Sequence, residues 1–186
     1  RHWYRLSALS VALAPLSLLF RAAVGLRRAG FAKGIFRSHR LPVPVVVVGN
    51  RVVGGTGKTP LVLWLVEVLR SRGFRPGIVS RGYRGANDPA RSVPPGGDAA
   101  QFGDEPVLLA ERSGVPVWIG RDRVAAARGL LGAHPGCNVL VCDDGLQHYA
   151  LARDFEIAVE DERGHGNGLL LPAGPLREPA GRAVDA

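Results

Sequence analysis

The stretch that decides the fold is VVVVGNRVVGGTGKTP, Val45 to Pro60. Valines running without a polar break read as a strand covered on both faces, because a half-exposed strand would alternate. Gly54, Gly55 and Gly57 follow, then Lys58, Thr59 and PLVLWLVEVLRSRG, whose apolar residues suit a helix ending at Gly73. Strand, glycine turn, helix is the setting of a phosphate-binding loop. Glycines let the backbone curl so that successive N–H groups converge on phosphate oxygens, and the helix adds its positive end. The chain has 24 Lys and Arg residues, of which only Lys33 and Lys58 are lysines. A compact ammonium on a flexible stem reaches β- and γ-phosphates where a planar guanidinium does not fit. Thr59 offers a hydroxyl to Mg²⁺. The expected phosphate-binding residues are Val53, Gly54, Gly55, Thr56, Gly57, Lys58 and Thr59. One departure is Val52, which stands where the full G-x-x-x-x-G-K-T pattern has glycine.

From Pro42 onward, short apolar strands alternate with helices: RPGIVS, VPVWIG, NVLVC and FEIAVE as strands, DEPVLLAERSG and RDRVAAARGLLGAHPG as helices. Residues 84–103 and the Gly/Pro-rich text after Asp161 read as loops. The expected fold is therefore α/β, a P-loop NTPase-like parallel sheet with helices on both faces. It is preceded by an N-terminal membrane-interface helix, with segments at 1–40 and 41–186.

That first segment is unusual in charge. The net charge is +8, yet no acidic residue precedes Glu67, while Arg1, Arg5, Arg21, Arg27, Arg28, Lys33, Arg37, Arg40, Arg51 and Lys58 do. A basic segment wants an anionic partner. Leu6–Phe20 is uncharged but short of the roughly 20 apolar residues a spanning helix needs, and Pro15 lies in its middle. Ser7, Ser10, Ser17 and Arg21 share one stripe at helical spacing; Leu6, Leu9, Leu13, Leu16 and Phe20 form its neighbour. The pattern suits a helix lying in a membrane interface, apolar side down, with arginines toward lipid phosphates. A signal peptide and a helix packed on its own domain are the alternatives. Nucleic acid is not expected as a partner, because no aromatic platform accompanies the basic residues. Cys137 and Cys142 lack metal-ligand spacing and read as small apolar fillers in a reducing compartment. The absence of methionine, with Arg1 first, suggests a fragment.

Three further sets carry chemistry. NVLVCDDGLQH delivers Asp143 and Asp144 to a strand's C-terminal end, where one carboxylate can hold Mg²⁺. His148 follows, structural or near the reaction centre. Asp104 and Glu105 open a helix, either as caps or as a hydroxyl-proton acceptor and a metal ligand. SRGY supplies Ser80, Arg81 and Tyr83, and GRDR supplies Arg121 and Arg123, all at strand ends suited to clamping phosphate.

RLPVPVVVVGN, GGTGKTP, VSRGY, GDEPVLLA, GRDR, DDGLQHYALARDFEI and GNGLLLPAGPLRE together resemble the tetraacyldisaccharide 4'-kinase family, from about Trp3 to Asp185. The resemblance implies a peripheral enzyme on the cytoplasmic face of the bacterial inner membrane. It would move the γ-phosphate of ATP to the 4'-hydroxyl of a tetraacyldisaccharide 1-phosphate, forming lipid IV(A) in lipid A biosynthesis. It also implies that Lys58 and Thr59 serve ATP and Mg²⁺ and that Asp104 is the candidate base. Glu105 and Asp144 would lie near the metal, and Arg121 and His148 near the transferring phosphoryl group. The family's chain is longer, with a second domain. A membrane-associated P-loop ATPase switch acting on a partner is the alternative function.

Overall fold

The structure, a computed structural model, describes residues 3–55, 57–82 and 89–186. Thr56 and Tyr83 lie outside the described residues.

The valine run forms β1 (Val45–Gly49), and the helix after the glycines is α2 (Lys58–Ser71), following an N-terminal α1 (Ala8–Ala32). Next come β2 (Pro76–Ser80), β3 (Arg91–Ser92), α3 (Ala99–Phe102), α4 (Asp104–Ser113), β4 (Val117–Ile119), α5 (Arg123–Ala133), β5 (Val139–Asp143) and β6 (Phe155–Ala158). The sheet order is β3-β4-β2-β5-β1-β6. All pairs are parallel except β3 with β4. The sheet is therefore mixed, not wholly parallel: β3 and α3 arise inside the stretch expected to be a long loop. Arg91 and Ser92 pair along the otherwise open edge of β4, opposite Ile119 and Trp118, which shields an edge that would invite foreign strands.

The sheet is buried on both faces, as the unbroken valines require. Val47, Val79, Leu140 and Cys142 meet α5 through Ala126, Ala127 and Leu130. Val48, Ile78 and Val141 meet α2 and α4 through Val62, Val66, Leu109 and Ala110. Close approach is needed at Gly49, where a Cβ would lie 2.7 Å from Leu146 Cγ, so the β1 end and the loop after β5 share one plane of contact. Both cysteines are buried free thiols, and burial raises the Cys142 pKa to about 11.

The helix α1 docks by its polar stripe and leaves its apolar stripe exposed. It runs 25 residues, carries Pro15 within it and continues past the uncharged Leu6–Phe20 stretch. Its buried residues are Ser10, Ser17 and Gly30, while Leu9, Val11, Leu16, Leu18, Leu19 and Leu26 are exposed. The serine stripe, not the leucine stripe, faces the protein. Ser17 Oγ donates to the Leu170 carbonyl at 2.6 Å and accepts from the Ala173 N–H at 3.1 Å. Asn167 Nδ2 reaches Ser10 Oγ at 3.4 Å, and Trp3 Nε1 donates to the Pro172 carbonyl. The polar stripe thus satisfies the backbone of an irregular segment that lacks a ladder of its own.

That segment, 162–182, is a loop in its backbone but is packed like core: Leu170, Ala173, Leu176, Glu178 and Arg182 are buried. It joins α1 to the phosphate loop. Val52, Leu170 and Leu176 form a small apolar cluster with Phe20 of α1 against it. Val53 N–H donates to the Pro175 carbonyl and Arg177 N–H to the Arg51 carbonyl. Val52, at the position where the pattern calls for glycine, is 6% exposed and anchors this cluster.

Candidate functional site

The phosphate loop is built to receive an anion. Gly54 and Gly57 have φ of 120° and 75°, left-handed values that only glycine adopts cheaply. Gly57 is the N-cap of α2, with no side chain capping the first turn. The first N–H groups of a helix have no intrahelical acceptor. Among the described residues, nothing accepts from the amides of Gly54, Gly55 or Gly57, whereas the Gly54 and Gly55 carbonyls are held by Asn50 Nδ2 and Arg163 Nη2. Carbonyls tied back and amides left unpaired give the loop the polarity of a phosphate cradle. Pro60 sits in the first helical turn, where a missing N–H costs nothing.

Lys58 is 7% exposed, and its Nζ lies 3.6 Å from Asp144 Oδ1. Asp144 also receives Arg177 Nη1 at 3.1 Å, while its carbonyl is met by Arg123 Nη2 at 3.4 Å. Thr59 Oγ1 donates to Glu105 Oε1 at 3.2 Å. Ser80 Oγ donates to Asp143 Oδ2 at 3.1 Å, leaving the buried Asp143 Oδ1 without a partner. Burial, then the neighbouring Glu105 and Asp144 charges, raise the Asp143 pKa to about 6. A crowded set of hydroxyl and carboxylate oxygens, one an orphan, is the donor set of a hard cation. Among the described residues no three His, Cys, Asp or Glu side chains converge as a ready cage.

Two cavities flank these residues. One of about 280 Å³ is lined by Ser80, Arg81, Asp104, Glu105, Asp143 and Asp144. The other, about 740 Å³, opens toward α1 and includes Phe20, Arg81, Arg121, Asp144, His148 and Arg177. Arg81 and Asp144 border both. The structure therefore gathers Ser80, Arg81, Asp104, Glu105, Asp143 and Asp144 in one cavity, and Arg121 with His148 in its neighbour. Burial, followed by the charge of Arg123, lowers the His148 pKa to about 4, so its ring is neutral at ordinary pH, with one nitrogen a donor and the other an acceptor. Its buried Nε2 has no hydrogen-bond partner among the described residues.

Several side chains at the site carry no signal local to the sequence around the phosphate loop. Arg177 and Glu178 come from the Gly/Pro-rich segment; Glu178, 1% exposed, is met by Tyr149 Oη and by Gln147 Nε2 at 3.3 Å. Arg27 of α1 lies over the Tyr149 ring, 5.7 Å from its centroid. Arg123, a candidate phosphate clamp with Arg121, is 3% exposed and turned inward to the Gly120 carbonyl. The two arginines of GRDR therefore divide between an exposed cavity residue and a buried brace.

An uncapped glycine-led helix after a buried strand, with carboxylates at the end of the adjacent strand, defines a P-loop nucleotide-binding α/β protein. Comparison with known proteins narrows this class. The family model for LpxK, tetraacyldisaccharide-1-P 4'-kinase, matches residues 9–186, and the chain belongs to that family. The tetraacyldisaccharide 4'-kinase of Aromatoleum aromaticum (strain DSM 19018 / LMG 30748 / EbN1) is 62% identical over 183 residues, covering 98% of this chain and 54% of that protein. That of Acidovorax sp. (strain JS42) is 57% identical with the same coverage. The chain thus spans about half the length of the curated relatives it matches. LpxK from Aquifex aeolicus, solved as an "apo" form in complex with ATP, superposes with a TM-score of 0.79 at 35% identity, over 92% of this chain and 55% of that one.

Proposed function

We propose that this chain carries the nucleotide-binding half of a tetraacyldisaccharide 4'-kinase, which transfers the γ-phosphate of ATP to the 4'-hydroxyl of a glycolipid, the lipid A precursor tetraacyldisaccharide 1-phosphate. The observation that carries the reading is the uncapped first turn of α2 with the buried Lys58 at its head, facing Asp144. The loop amides and Lys58 hold the triphosphate; the family match favours this over the nucleotide-switch alternative. Thr59, Glu105, Asp143 and Asp144 would hold Mg²⁺, which supplies charge neutralisation to the phosphate oxygens when bound. Asp104, exposed at the start of α4 and bordering the smaller cavity, takes the hydroxyl proton. Arg121 steadies the charge that grows on the phosphoryl group. Arg81 and Ser80 position the acceptor between the two cavities, and Tyr83 belongs to the same proposed set.

Residues 1–40 form the membrane-associated segment and 41–186 the kinase core. By length and composition alone α1 could cross a bilayer, with mean hydropathy 1.8. Its attachment along the protein through Ser10, Ser17 and Gly30 instead supports a helix lying in the interface with leucines toward lipid. On this reading the larger cavity lies at the lipid surface, on the cytoplasmic face of the inner membrane where ATP is available.

The test is transfer of label from γ-labelled ATP to detergent-solubilised acceptor by the full-length protein. Lys58→Ala should lose roughly 100-fold or more in rate; near-normal transfer refutes the assignment.

A further inference from the structure

On the β6 side of the phosphate loop lies a cluster of which the cradle uses only one bond, from Arg163 to the Gly55 carbonyl. Arg163, 44% exposed at its side chain, spends its guanidinium edge on the protein. Nε donates to Asp161 Oδ2 at 2.9 Å, Nη2 to the same carboxylate and to the Gly55 carbonyl, and Nη1 to Tyr4 Oη at 3.4 Å. A Cβ at Gly54 would meet Arg163 Nη1 at 3.7 Å, so the guanidinium sits directly against the glycine turn.

Topology gives this position its meaning. β1 lies between β5 and β6, and ligands of open α/β sheets bind across the C-terminal strand ends. The β5 side of the loop is taken by Lys58, Asp144 and Arg177, the groups suited to the reacting end of a triphosphate. Its other end then extends over the end of β6, where the chain passes from Ala158 to Arg163. Chemistry points the same way. With its N–H edge engaged and its charge opposed by Asp161, Arg163 is a poor phosphate ligand. Its flat face remains, and a guanidinium face stacks on a π-system.

We propose that Arg163, steadied by Asp161 and flanked by Tyr4, is the platform for the nucleobase of the bound triphosphate. The proposal rests on the triphosphate reading of the loop, and the test separates the two. Dissociation constants of the full-length protein are measured by calorimetry for Mg²⁺–ATP and for Mg²⁺–tripolyphosphate, which lacks a base. Arg163→Ala should weaken ATP about tenfold more than it weakens tripolyphosphate, the scale of a desolvated cation–π contact, because both ligands share any cost of losing the Gly55 contact. Arg163→Lys keeps the charge but not the plane, and should resemble Ala. Lys58→Ala should weaken both ligands. Unchanged ATP affinity in Arg163→Ala overturns the proposal, as does equal weakening of both ligands, which would make Arg163 a phosphate contact or a loop brace. A Lys58→Ala protein that binds both normally overturns the loop reading itself.

Discussion

Replacing Ser17 by Ala tests whether the polar stripe of α1, and not its leucines, docks the helix. Ser17 is 6% exposed, and its hydroxyl bridges the Leu170 carbonyl and the Ala173 N–H. The Leu170 carbonyl keeps a second donor, the Gly174 N–H at 2.9 Å, so the variant strands chiefly one buried donor. A stranded buried donor costs about 1–3 kcal/mol; the gain in helix propensity from Ser to Ala returns up to about 0.5 kcal/mol. The net is a loss of about 1–2 kcal/mol, felt locally because α1 rests on loops. Leu18→Ala is the comparison: Leu18 is 65% exposed, and its removal should cost under about 0.5 kcal/mol. The assay is amide hydrogen exchange in mild detergent, read at Ala173. Protection there should fall roughly five- to thirtyfold in Ser17→Ala and hardly change in Leu18→Ala. The reverse ranking would refute the docking mode and return the leucines to the protein side.

Two pH predictions concern Asp143 and His148. Asp143 has a folded pKa raised to about 6 from 3.8. Its contribution to stability is therefore full below about pH 4 and lost as pH rises through 6. In protein free of metal and nucleotide, Asp143→Asn should raise the urea midpoint at pH 7.5, by about 2 kcal/mol in stability, with the gain shrinking toward pH 5. A gain that is equal at both pH values contradicts the burial argument. For His148, NMR of the ring C–H resonances should show titration near pH 4, well below the usual 6.5; a midpoint near 6.5 would mean the ring is solvated.

The core of the fold was readable because its determinants are local. The valine run, the glycines and the helix after them each follow from neighbours in the chain, and the carboxylates appear at the end of NVLVC as expected of a strand terminus. The mixed edge was not readable: Arg91 and Ser92 have little strand character of their own, and they pair because β4 presents an open edge. The candidate site was half visible. Lys58, Thr59, Asp143 and Asp144 lie in continuous motifs, whereas Arg177 reaches Asp144 across 33 residues of chain.

By itself, then, the sequence determined the α/β order, the phosphate loop and the two stripes of α1, since periodicity and backbone geometry act over a few residues. Tertiary structure alone decided which stripe faces inward. The pattern left open whether the leucines met lipid or the protein's own domain, but Ser17 finds its acceptor 153 residues away, in a segment whose backbone needs hydrogen bonds more than it needs leucines. It also decided that Arg123 braces, that Arg177 meets Asp144 and that Arg163 turns its edge to the protein. Those outcomes depend on which carbonyls and carboxylates come within reach once the chain has closed, and no local pattern encodes that.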